Sequence, residues 1–185
     1  MAIDFQFQAL ANSDNTLVAG KVIAVASLGL FAGSALSFSA VIMPSLRKFS
    51  SASSLAIWTE AHNSSKYLDL GLIAAGIAGS AGLYYKTKNI SYLYGAVSIA
   101  SVIPYSLIAL YPTAKKLLAI RQNNTVGGKS DSMKDNKSND SDVEALLSRW
   151  SLFHFGRTVL GLGALFVTLY GVVSEDGVRF ILFNN

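Results

Sequence analysis

Cysteine is absent from the 185-residue chain. That removes disulfides, thiolate metal sites and cysteine nucleophiles together. Charge is scarce: 14% of residues are charged against 51% hydrophobic, with a mean hydropathy of +0.41. Such a composition does not suit a domain surrounded by water, and it makes the lipid bilayer the first expected partner. The net charge is only +4. Its basic residues lie beside apolar runs rather than in a stripe interleaved with aromatics, so nucleic acid is not an expected partner. No apolar run alternates apolar and polar residues along its length, which makes the strands of an outer-membrane barrel a poor alternative.

What is present is a set of four apolar runs, Val22–Met43, Leu68–Tyr85, Ile90–Tyr111 and Leu152–Val173. A helix needs about 20 residues to cross the hydrocarbon core. The expected fold class is therefore all-α: an integral membrane four-helix bundle, one membrane domain over residues 1–185, with a polar flexible loop at about 121–142. Asp4 and Asp14 are the only charges before Lys21, and the first Arg is Arg47. That pattern fits neither a secretory signal nor a mitochondrial presequence, so the first helix is expected to stay in the mature protein.

Four spans put Lys21, Lys86, Lys88 and Arg179 on one side and the remaining eleven of the fifteen Lys and Arg residues on the other. By the positive-inside rule the richer side, with loops 44–67 and 112–151, faces the cytoplasm, and both termini face the lumen or exterior. In a eukaryotic cell the membrane would be the endoplasmic reticulum or another endomembrane. On this reading Lys115 and Lys116 are topology signals, and Asp69 pairs locally with Lys66.

The two Trp and two His residues fall into one repeated spacing, Trp58-x3-His62 and Trp150-x3-His154, offset by 92 residues (150 − 58 and 154 − 62). A second repeat joins VIMPSLRK, ending the first helix, to ALYPTAKK, ending the third, at an offset of 68 (112 − 44 for the prolines). The polar stretch before Trp150 accounts for the difference between the two offsets. The chain thus reads as two pseudo-repeated helical hairpins of parallel topology, with both His near one mouth of the bundle. Small residues every four positions, Gly29, Gly33 and Ser37, then Gly71, Ala75 and Gly79, are expected on interior faces where backbones approach. Pro104 is expected to kink the third helix or to line a polar cavity with nearby hydroxyls.

These segments carry a resemblance. GLFAGSALSFSAVIMPSL, the Trp58-x3-His62 segment, VIPYSLIALYPTAKKLLAI and LLSRWSLFHFGRTVLGLGALF resemble, in order and spacing, the DUF1772 family of small membrane proteins, which includes the fungal anthrone oxygenases of polyketide pathways. The chain departs at Ala114, where an Asn is common in that pattern, and at His62, where an aromatic is common. The resemblance implies a membrane oxygenase acting on an aromatic polyketide or similar lipophilic phenol. Such chemistry needs a base for an acidic benzylic proton, a cation or donor for the resulting enolate, and an apolar pocket. The enolate reacts with dioxygen directly, so no flavin, haem or metal is required.

His154, with an ordinary imidazole pKa of about 6.5, suits the base. Arg157, three residues on, suits the enolate-holding cation. His62 and Lys66 would be the pseudo-symmetric pair, and Trp58, Trp150, Tyr105 and Thr113 substrate-binding groups. Plainer readings stand beside these: Trp58 and Trp150 as interface anchors, and Arg157 as a snorkelling or bundle-locking cation. A non-catalytic membrane subunit or assembly factor, with a membrane-protein partner or a second copy on its small-residue faces, is the alternative function. Haem held between the two His is a third.

Overall fold

The computed structural model describes residues 2–126 and 133–183, with side chains described over 15–123 and 140–175. Among these residues the chain is wholly helical apart from short turns. Four stretches are long and apolar enough to cross a membrane: Asn15–Leu46, Ser51–Thr87, Ile90–Asn123 and Asp140–Glu175, here called the first to fourth spans. The chain is an integral membrane protein.

The spans have 32, 37, 34 and 36 residues, well beyond the apolar runs. Neither Gly nor Pro occurs between Ser51 and Leu70 or between Asp140 and Phe155, so nothing stops the helix where hydropathy falls. The stretch expected as a loop over 121–142 is accordingly helical to Val126 and again from Met133, while 127–132 lie outside the described residues.

The turns follow from local chemistry. Ser50 caps the second span, its Oγ accepting from the Ser53 N–H at 3.4 Å, as an N-cap hydroxyl does. At the next turn Lys88 takes the left-handed conformation, φ 60°, and Asn89 Oδ1 accepts from the Ser91 N–H at 3.0 Å. That reversal closes the second and third spans into a hairpin with two residues outside the helices, Lys88 and Asn89.

Two π-helical turns interrupt the spans, Phe38–Ile42 and Ser106–Leu110. In each, an i→i−5 bond closes the turn, Met43 N–H to the Phe38 carbonyl and Tyr111 N–H to the Ser106 carbonyl. A proline, Pro44 or Pro112, follows at once. Proline has no N–H to give and its ring crowds the carbonyl four residues back, and a wider turn relieves both. The π turns are 68 residues apart (106 − 38), the offset of the two prolines.

By contacts the chain forms two compact units, each drawing on all four spans. Unit 1 comprises Met1–Ala32, Gly71–Ala100 and Leu160–Asn185. Its packing uses absent side chains: a Cβ on Gly79 would stand 3.0 Å from the Ala24 backbone, and one on Gly95 only 2.1 Å from Thr168 Oγ1. Its polar contacts centre on Glu175, which accepts from Tyr92 Oη at 3.0 Å and pairs with Lys21 at 3.4 Å. Of the small-residue faces read from the sequence, Gly33, Ser37 and Gly71 are exposed, and a methyl group on Gly33 or Gly71 would touch nothing. Gly79 alone of those glycines approaches a neighbouring backbone as expected, and further close approaches fall outside those faces, at Gly95, Gly156 and Gly161 among others.

Unit 2 comprises Gly33–Leu70 and Ser101–Val159. It contains both π turns, both Trp-x3-His motifs and the described cations Arg47, Lys48, Lys66, Lys115, Lys116, Arg121, Arg149 and Arg157. A buried apolar cluster joins Met43, Leu46, Trp58, Leu117, Leu147 and Trp150.

Candidate functional site

Residues four apart on a helix share a face, so each Trp-x3-His motif brings an indole beside an imidazole. Trp58 stacks on His62 with ring centroids 5.1 Å apart and planes 5° from parallel, and Trp150 stacks on His154 at 4.6 Å and 24°. The two indoles then meet edge to face at 5.4 Å and 83°, and His62 meets Trp150 at 6.1 Å. The two halves of the repeat thus contribute to one four-ring cluster. Phe38, in the first π turn, closes it, 5.3 Å from Trp150 and 5.2 Å from His154.

This cluster is largely buried and short of hydrogen bonds among the described residues. Trp58 is 0% and Trp150 2% exposed, which corrects the interface-anchor reading: an anchor keeps its N–H at the wet boundary, whereas these helices run on and enclose both rings. Among the described residues neither indole N–H has a partner. Indole nitrogen only donates, and a sealed donor without an acceptor costs about 1–3 kcal/mol. Two such donors stand at equivalent places in the repeat, and no described residue supplies either with an acceptor.

His154, 3% exposed, is tied down by hydroxyls. Its Nδ1 lies 2.9 Å from Ser39 Oγ, which lies 3.0 Å from Thr158 Oγ1. Thr158 in turn donates toward the carbonyls of Ala35 at 3.1 Å and His154 at 3.2 Å. One turn along the fourth span, Arg157 Nη2 donates to Asp69 Oδ2 at 2.9 Å, with side chains 15% and 10% exposed. Ser34 Oγ donates to the other oxygen of Asp69 at 3.5 Å. The expected Asp69–Lys66 pair is therefore replaced by an ion pair between spans. Asp69 is turned inward, while Lys66 is exposed with its ammonium 5.0 Å above the Tyr67 ring.

A cavity of 270 Å³ is lined by Met43, Leu46, Arg47, Ser54, Glu144 and Leu147, among others. Met43, Leu46 and Leu147 belong to the same apolar cluster as the two indoles. Its size is near the lower end of the range for small-molecule pockets, about 300–1,000 Å³. Among the described residues no group of three or more His, Asp or Glu could hold a metal ion. Trp150 packs against both imidazoles, where a macrocycle ligated by both would have to lie.

A family model described as anthrone oxygenase matches residues 58–167, more than half of the chain. The chain belongs to the anthrone oxygenase family. The matched segment opens on Trp58 and carries both Trp-x3-His motifs, Asp69 and Arg157. No curated protein and no solved structure matches the chain.

Of the residues singled out from the sequence, the fold of this family member brings together Trp58, His62, Trp150 and His154, with Arg157 three residues beyond. Tyr105 is committed nearby, its Oη donating to the Phe153 carbonyl at 2.8 Å. Thr113 is buried without a hydrogen bond to either imidazole, and Lys66 points away. Sequence reading passed over Phe38, Ser39, Thr158 and Asp69 as site residues. The signal for the first two was Pro44, which calls for a widened turn just before it; the others carry no local signature.

Proposed function

We propose that the chain is a membrane-embedded oxygenase that oxidises a flat, lipophilic anthrone-type phenol to a quinone without a cofactor. The observation that supports it most is the pair of buried indole N–H groups, without a partner among the described residues, beside two imidazoles in the family-matched segment. A carbonyl oxygen that becomes an enolate oxygen is the acceptor such donors lack. Donors already in place in an enclosed site favour the state in which negative charge develops there.

The reaction balances with these parts. His154 takes a proton from the methylene carbon, and the enolate transfers electrons to dioxygen and forms a carbon–oxygen bond as a peroxide. The base returns its proton to the peroxide and removes the second hydrogen as the O–O bond breaks. One oxygen atom becomes the new carbonyl, and the other leaves as water with the two methylene hydrogens. The substrate supplies all the electrons, so no separate reductant enters. Arg157, its charge balanced by Asp69, would contribute field and position more than a free cation. The basic character of unit 2 supports a cytoplasmic orientation for it in an endomembrane.

The test is oxygen uptake by purified protein in lipid nanodiscs with an anthrone, using ¹⁸O₂. One labelled atom should appear in the quinone and one in water, and His154→Ala should slow turnover by about 10²- to 10⁴-fold. Wild-type protein that takes up no oxygen with any anthrone or hydroquinone would overturn the reading. The non-catalytic alternative, with the exposed Gly33 and Gly71 against a membrane partner or second copy, would then stand.

A further inference from the structure

The hydroxyls around His154 decide which of its nitrogens is basic. Thr158 has one hydroxyl proton and turns it toward two groups that only accept, the carbonyls of Ala35 at 3.1 Å and His154 at 3.2 Å. With that proton given to a carbonyl, the 3.0 Å contact with Ser39, in which either hydroxyl could donate, is made by Ser39 donating. Ser39 has then spent its only proton, so the 2.9 Å contact with His154 is made by Nδ1–H donating to Ser39 Oγ. A neutral imidazole carries one N–H. With that proton on Nδ1, the lone pair is on Nε2, which makes no hydrogen bond among the described residues.

The repeat supplies an internal control. The position equivalent to Ser39 in the second half is Leu107 (39 + 68), and the one equivalent to Thr158 in the first half is Lys66 (158 − 92). Among the described residues the imidazole of His62 accordingly has no hydroxyl partner, and its ring contacts are with the indoles, stacked on Trp58 and edge to face with Trp150. Of two histidines in equivalent places, one has its tautomer dictated. Ser39 reaches it from the π turn, where the wider winding before Pro44 shifts the face that Phe38 and Ser39 present.

We propose that Ser39 and Thr158 are positioning residues that hold neutral His154 as the Nδ1–H tautomer, so that Nε2 is the nitrogen that takes the substrate proton. The identity of that substrate rests on the oxygenase reading above; the tautomer does not. The hydroxyl chain ends on backbone carbonyls, which have no proton to exchange. It orients the ring and cannot drain a proton from it. A proton taken at Nε2 must leave by Nε2, as required of a base that returns the first proton to the peroxide before removing the second.

The experiment is ¹⁵N NMR of histidine-labelled full-length protein in nanodiscs at neutral pH, with the His154 signals assigned by comparison with His62→Gln. Wild type should show a protonated Nδ1 and an unprotonated Nε2. Thr158→Val frees the Ser39 proton to turn onto Nδ1 and should reverse the tautomer, whereas Thr158→Ser should retain it. A wild-type His154 that is protonated on Nε2, singly or doubly, overturns the proposal, and this spectrum decides even where a variant fails to fold. An unchanged tautomer in Thr158→Val also overturns it. In turnover, Thr158→Val should lower kcat by about 10- to 100-fold with KM little changed, and Thr158→Ser should restore it. The two readings fail separately: Nδ1–H without oxygen uptake sinks the oxygenase and leaves the positioning, and uptake with Nε2–H does the reverse.

Discussion

Trp58 and Trp150, 92 positions apart (150 − 58), meet edge to face with ring centroids at 5.4 Å, and among the described residues neither indole N–H has an acceptor. Edge-to-face packing adds about 0.5–1.5 kcal/mol beyond burial, while each orphan donor costs about 1–3 kcal/mol. The packing gain alone does not explain why both positions keep tryptophan, since a hydrocarbon ring of similar size would gain as much without the penalty.

Replacing the indole nitrogen alone separates the two effects. Benzothienylalanine at 58 or 150 keeps the shape of tryptophan and removes the N–H. The unfolding midpoint in detergent should hold or rise. Anthrone oxidation should fall by about 10²- to 10³-fold, as on loss of an oxyanion donor. A lower midpoint with unchanged turnover would mean that the donors serve the fold.

The Asp69–Arg157 pair, at 2.9 Å and largely enclosed, should behave as a unit. Asp69→Ala or Arg157→Ala alone leaves an enclosed charge without its partner and should cost about 3–5 kcal/mol. The double replacement Asp69→Leu with Arg157→Met removes both charges and should recover most of that loss in equilibrium unfolding. Additive losses would refute the coupling.

At Gly156 a Cβ would stand 2.2 Å from Tyr105 Oη, so Gly156→Ala must break the bond from that hydroxyl to Phe153. Tyr105→Phe alone should cost about 0.5–1.5 kcal/mol. Combined with Gly156→Ala it should cost less than the sum, because the clashing atom is gone; a double-mutant cycle measures the difference.

Gly33 and Gly79 test where helices approach closely. Gly33→Ala meets open space and should be neutral or stabilising by up to about 1 kcal/mol from helix propensity. Gly79→Ala drives a methyl group into the Ala24 backbone at 3.0 Å and should lower the unfolding midpoint. Equal effects at the two sites would contradict the packing of unit 1.

The spans and the pairing of the two Trp-x3-His motifs were legible because hydropathy and exact spacing survive in one dimension. The motifs' enclosure was not legible, because helix length past the apolar run depends on the absence of breakers, which hydropathy does not register. Asp69 looked local because Lys66 lies one turn away; its true partner is 88 residues distant, and nothing in either segment records that meeting. Ser39 read as one more small residue in a small-residue helix. Its importance follows from a turn that Pro44 widens, and a proline signals such a turn without saying which side chain it will redirect.

The Asp69–Arg157 pair also bears on how the chain enters the membrane. During synthesis the second span reaches the bilayer with Asp69 in it, and its counter-charge is still 88 residues from being made. Asp69 stands second in the apolar run Leu68–Tyr85, and a carboxylate carried into an inserting helix costs up to the roughly 2.5–3.5 kcal/mol of a central position until the fourth span arrives. The first hairpin is therefore held in a provisional state, and arrival of the second supplies the cation that locks it. A chain truncated before Arg157 lacks that lock, which leaves its second span the one most prone to slip back out of the bilayer.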